Sequence, residues 1–177
     1  MNDFPPATDI LQLHEAIKAS VSLAFPNTFV DFYPRPGEQI QTPAILLEME
    51  EIDSEDDGGF GTEQIEVSLK FNAYCLMSYK SGNKLALRSM AACLVTHIHR
   101  QRWGIPVGPA RSISARQDSF GGPSDEYETM RVEFEHDAIL GLSVWDDSGV
   151  VPISVFVGEA PKIGPPNIAD YTPIHLI

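Results

Sequence analysis

"QIEVSLKFNAYCLM", residues 64 to 77, decides the fold. Ile65, Val67, Leu69, Phe71, Ala73 and Cys75 alternate with Glu66, Ser68, Lys70, Asn72 and Tyr74. One apolar and one polar face at a period of two is the pattern of a half-buried β-strand. Just upstream, "PAILLEMEEI" begins another strand after Pro43, Ala44 to Ile52. The short connection between the two calls for antiparallel pairing. At about 3.3 Å per residue such a ribbon reaches well beyond a compact core.

The tip of that ribbon is acidic. "EIDSEDDGGFGTEQIEV", residues 51 to 67, holds seven carboxylates, three glycines and no basic residue. An EF-hand loop has oxygen ligands at positions 1, 3 and 5, glycine at 6 and a bidentate Glu at 12. Counting from Asp53 places Glu55, Asp57 and Gly58 correctly, but position 12 is Gln64 and the flanks are strands rather than helices. The stretch reads instead as a solvated hairpin tip carrying Asp53, Glu55, Asp56 and Asp57.

Around the ribbon the other elements fall into place. "TDILQLHEAIKASVSLAF" is a helix capped by Thr8 or Asp9, with Ile10, Leu13, Ile17, Val21 and Ala24 on one stripe and Pro26 ending it. "TFVDFY" is a short strand before the Pro-Arg-Pro-Gly turn at 34 to 37. A second helix is expected from Leu85 to Trp103, buried through Leu87, Met90, Ala91, Leu94, Val95 and Ile98, and closed by Gly104 and Pro106. "ARSISARQ" and "EYETMRVEFEHDAI" are two further strands around the loop "DSFGGPSD". The order of helix, three strands, helix and two strands predicts an α+β fold. It is a mostly antiparallel sheet of about five strands, with two helices on one face and a long β-hairpin.

Residues 1–140 make that core, and 141–177 form a proline-rich extended arm. The arm has prolines at 152, 161, 165, 166 and 173 and one expected strand, Ile153 to Val157. Its apolar content is too high for a solvated linker, so it is expected to dock through Ile153, Val155, Phe156, Ile163 and Tyr171.

The net charge of −13 argues against gripping nucleic acid, which needs Lys and Arg to neutralise phosphates. The charges are segregated: residues 36–69 hold ten acids and no base, and residues 70–117 hold eight bases and no acid. Residues 118–177 return to eleven acids against two bases. These blocks either pair within one subunit or form two flanks suited to head-to-tail association. In the second case Lys84, Arg88, Arg100, Arg102, Arg111 and Arg116 supply the basic side.

No apolar run approaches a membrane span, and the N-terminus has no signal-peptide pattern. Cys75 and Cys93 read as buried free thiols of a protein made in a reducing cytoplasm. The sequence contains no nucleophile elbow, phosphate-binding loop, paired CxxC or H-E-x-x-H. Cys93 and His97 are four apart, but His97 and His99 point to different helix faces, so zinc is not expected. Glu133 and Glu135 share a strand face without any sign of a cleft. No cofactor and no catalytic residue is expected.

Taken together, the helix "ILQLHEAIKASVSLAF", the strand "QIEVSLKFNAYCLM", the helix "LALRSMAACLVTHIHRQRW" and the strand "EYETMRVEFEHDAI" resemble the tail terminator proteins of long-tailed bacteriophages, of the kind found in Mu-like phages and related prophages. The likeness lies in element order and covers roughly residues 8 to 140. It implies a homo-hexameric ring in the virion, at the tail–neck junction, that caps the tail tube and stops its polymerisation. The implied partners are the chain itself, the tail tube protein and a head-completion or neck protein. On that likeness Asp53, Glu55, Asp56 and Asp57 face the lumen or the tube, and DNA passes through the lumen without specific binding, which an acidic lining would favour. The segment after Leu140 leaves a head–tail connector, neck or other minor tail protein as the alternative. A small enzyme, or a nucleic-acid binder using residues 70 to 117 with Trp103, is a rival from another class.

Overall fold

The computed structural model describes residues 7–33, 39–54, 63–81, 84–118, 127–144 and 155–174. The chain forms two compact units, Met1–Val144 and Trp145–Ile177.

In the first unit, α1 (Ile10–Ala24) is followed by β1 (Phe29–Phe32), β2 (Ala44–Asp53) and β3 (Ile65–Ser78). Then come α2 (Lys84–Ile98), β4 (Arg111–Asp118) and β5 (Tyr127–Leu140). The strands form one sheet in the order β1-β2-β3-β5-β4, antiparallel except for the parallel β1–β2 pair. The fold is therefore α+β, as the alternation in residues 64–77 requires. β3 is its central strand. It pairs with β5 over all 14 of its residues without a register shift, a length of about 46 Å at 3.3 Å per residue.

The core lies on one face of the sheet. Val67, Leu69, Phe71, Ala73 and Cys75 of β3 meet Val132, Phe134 and Ala138 of β5, Leu13, Ile17 and Val21 of α1, and Leu87, Ala91, Leu94 and Ile98 of α2. Phe71 and Phe134 stack with ring centroids 5.2 Å apart. Burial pushes the Cys75 thiol up to about 12, because the low-dielectric core disfavours the thiolate. On the opposite face a smaller cluster of Ala44, Leu46 and Leu76 gives way to a polar field containing the buried Asn72.

Asp9, not Thr8, caps α1: its carboxylate accepts from Leu11 N (2.9 Å) and Gln12 N (3.1 Å). Thr8 is used elsewhere, donating its N–H to Ile139 O (2.7 Å) and its hydroxyl to Pro106 O (2.8 Å). His14 donates from Nδ1 to Ile10 O (2.7 Å) and accepts at Nε2 from the Tyr33 hydroxyl (3.1 Å). That hydroxyl in turn accepts from Met49 N, closing the end of the β1–β2 pairing.

The structure corrects several expectations. α2 stops at Ile98 rather than Trp103, because Arg100 (φ 60°) and Trp103 (φ 55°) adopt left-handed backbone conformations. Arg100 N bonds to Ala110 O and Ala110 N to Gln101 O, so residues 100–110 form a closed loop in place of the last helical turn. Ala24 is exposed and not part of the α1 stripe. Cys93 is exposed, since the buried stripe of α2 passes through Leu87, Ala91, Leu94 and Ile98. The Pro-Arg-Pro-Gly turn and most of the loop "DSFGGPSD" lie outside the described residues.

The second unit contains more than the single strand expected. β6 (Val155–Val157) pairs antiparallel with β7 (Thr172–Ile174), and a 3-10 segment, Pro165–Asp170, lies between them. Tyr171 closes the turn. Its hydroxyl accepts from Gly164 N (2.7 Å), and its ring lies so near Gly158 that a Cβ there would stand 2.9 Å from ring carbons.

Candidate functional site

The acidic tip rises from the far ends of β2 and β3, where a bulge between Met49 and Glu51 interrupts the pairing. Asp53 faces Ser68 across the ladder, and Lys70 Nζ lies 2.8 Å from Glu51 and 3.6 Å from Asp53. The Glu51 carboxylate beside it holds the Lys70 ammonium above its ordinary range. Asp53 thus has a cationic partner, contributed by the opposite strand. Glu55, Asp56 and Asp57 lie outside the described residues. Among the described residues no group of three or more His, Cys, Asp or Glu side chains is arranged to hold a metal ion.

The six cations proposed for a subunit interface divide into two groups. Lys84 pairs with Glu128, Arg116 with Glu133, and Arg111 with both Glu135 and Asp137. Arg131 adds contacts to Asp118 and Glu133. The polar face over β4 and β5 is therefore a lattice of ion pairs within one chain. Among the described residues Arg100 and Arg102, both exposed, make no ion pair, and Arg88 makes none either but donates to Lys84 O. These three remain the cations available to a partner.

Of the C-terminal residues, Phe156 and Ile163 are exposed. Tyr171 is turned inward onto Gly158 and Gly164 and holds its own unit together. Ile153 lies outside the described residues, and of Val155 only the backbone is described.

The sequence reading missed a buried polar lock behind the 100–110 loop. His136 has no solvent exposure. Trp103 Nε1 donates to His136 Nε2 at 2.8 Å, and His136 Nδ1 is 2.8 Å from Gly108 O. An indole N–H can only donate, so Nε2 must accept and the proton sits on Nδ1, facing the Gly108 carbonyl. The ring is neutral, and burial lowers its proton affinity below the ordinary imidazole range. The signal was present in the sequence: His136 continues the apolar phase of Met130, Val132 and Phe134, and Ala138 follows it. It is a core residue and not a metal ligand.

Beside this lock is an open cavity of about 650 Å³, lined by Glu66, Ser68, Arg102, Val107, Arg111 and Asp137 among others. Its charged groups are Glu66, Arg102, Arg111 and Asp137, and Arg111 is already bound to Asp137. No nucleophile–base pair converges there.

No protein-family model matches the chain, and no curated protein matches it in sequence.

Proposed function

We propose that the protein is a structural component of a bacteriophage tail: a ring that caps the tail tube, ends its polymerisation and presents a surface for head joining. The reading rests on the element order of the first unit, with two helices on one face of a sheet and a long β2–β3 ribbon carrying acidic residues toward its tip. That is the arrangement in which the chain resembles tail terminators. The role is structural rather than catalytic, and the ring stands in the virion at the tail–neck junction. Its contacts are further copies of itself, the tube protein below and a head-completion or neck protein above.

The charge distribution supports this reading less broadly than the sequence suggested. Intrachain pairing neutralises Lys84, Arg111 and Arg116, leaving Arg88, Arg100 and Arg102 for head-to-tail contacts. Native mass measurement at high concentration, with electron microscopy of tails carrying the protein, tests the proposal. A six-fold collar at the upper end of the tube is the expected result. A ring found on the capsid side would favour the connector alternative, and strictly monomeric protein absent from tails would end both.

A further inference from the structure

The two edges of the five-stranded sheet differ, and backbone geometry shows how. β1 is capped at one point: the outward Phe32 N–H bonds to Asp31 Oδ1 at 2.8 Å, and Lys18 Nζ holds the same oxygen at 2.8 Å. β4 has no such cap. Gly108 N bonds to Asp137 O and Thr8 N to Ile139 O, so the odd-numbered residues of β5 direct their backbone groups away from β3. The β3–β5 register is unbroken, so this parity holds along the strand. Ser114, Arg116 and Asp118, opposite Glu133, Arg131 and Thr129, therefore face β5. Ala115 and Gln117 point their N–H and C=O groups outward, where neither has a partner among the described residues. Both side chains are exposed, and β4 contains no proline.

The small sheet of the second unit is equally one-sided. Pro173 has no N–H, so the Phe156–Pro173 pair is of the non-hydrogen-bonded kind. The outer edge of β7 lacks a donor at that position, while Phe156 presents its N–H and C=O on the edge of β6 that no described strand occupies. A two-stranded sheet is marginal by itself in water, and Phe156, Val157, Ile163 and Ile168 are all exposed.

We propose that the β4 edge of one copy receives the β6 edge of a second copy as an added strand, with Ala115 and Gln117 on one side and Phe156 on the other. The inference rests on the reading that copies of this chain associate head to tail. Charge selects the partner: Arg100 and Arg102, which make no ion pair among the described residues, precede β4, whereas residues 145–177 carry four acids and one base. Two unlike edges on every copy give a heterologous contact, which propagates until it closes on itself. Main-chain bonds supply the attraction, as in other strand additions.

Cysteine cross-linking of the full chain tests this. In a Cys93→Ser background, one preparation carries Gln117→Cys and another Phe156→Cys, and the two are mixed and exposed to a mild oxidant. A disulfide joining one copy of each kind is the expected product. A chain carrying both substitutions that closes only on itself would show that the segment docks on its own unit, and overturns the inference. Absence of any cross-link does so too. As a second arm, Gln117→Pro removes an outward donor while sparing the bonds to β5, and should reduce the assembly to monomers with the melting temperature nearly unchanged. Cross-linked chains that never close into a ring would leave the strand contact standing and defeat the ring reading. A six-fold ring without the cross-link would do the reverse.

Discussion

Trp103 and His136 are locked by a 2.8 Å hydrogen bond in which the indole donates to a neutral, fully buried imidazole. The other ring nitrogen donates to Gly108 O, so one side chain holds the 100–110 loop against β5 at two points. His136→Phe would leave the half-buried Gly108 carbonyl and the indole N–H without this partner. The expected cost is about 2 to 4 kcal/mol, read as a lower thermal midpoint by circular dichroism.

The same ring makes stability depend on pH. Its folded proton affinity is lowered, so between its folded value and its ordinary value near 6.5 the unfolded chain binds the extra proton. The stability it carries is complete above about pH 6.5 and is lost as the pH falls through that window. His97, lowered by burial as well, contributes in the same direction. Melting curves at several pH values from neutral to mildly acid should fall less steeply in His136→Phe than in the parent. An unchanged slope would assign the effect to His97 and the carboxylates.

Asp31 gives a second, more acidic window. The hydrogen bond from Lys18, with a further one from Phe32 N, holds its carboxyl below the usual 3.8. A depressed carboxylate contributes stability that is present above that value and is lost as the pH falls through the folded one. Asp31→Ala removes both the β1 cap and the ion pair. Because both groups are partly exposed, the expected loss is only about 0.5 to 1 kcal/mol. Urea melts of the variant at neutral pH check it.

How much of this was legible in the sequence follows from the range of the interactions. The β3 alternation, the α1 stripe apart from Ala24 and the order of elements along the chain rest on local periodicity, and the structure has them. The end of α2 does not. Residues 99–103 have ordinary helix-compatible side chains, and the helix stops because Ala110, ten residues on, takes the N–H of Arg100. Burial of His136 was readable from its phase on β5, but its partners Trp103 and Gly108 come from a loop whose path no local pattern fixes. The internal pairing of Arg111 and Arg116 depends on β4 lying beside β5, a tertiary fact. The return of the chain through Tyr171 to form β7 turns on two glycines, six residues apart, meeting one ring.

The acidic tip should be dispensable for folding. Replacing Asp53, Glu55, Asp56 and Asp57 with Asn or Gln should change stability by less than about 0.5 kcal/mol, since Lys70 keeps Glu51 as its nearer partner. The effect should appear as tails of wrong length or poor head joining. Melting with millimolar calcium against chelator supplies the control. A rise with calcium that disappears in the variant would mean the folded state binds the ion and would replace the hairpin-tip reading.

The boundary between the units sets the last test. A truncation after Leu140 would remove Gly141, whose carbonyl accepts from the buried Gln64 side chain at 3.3 Å, so a fair deletion keeps residue 144 and removes 145–177. Every core side chain of the first unit lies N-terminal to that cut. The truncated protein should retain a cooperative transition within a few degrees of the parent, because the core it keeps is complete within the first unit. What it should lose is assembly. A truncated chain that still forms closed rings would remove the C-terminal unit from the subunit contact. One that unfolds would make residues 145–177 part of the core, despite the separate packing of Tyr171 on Gly158.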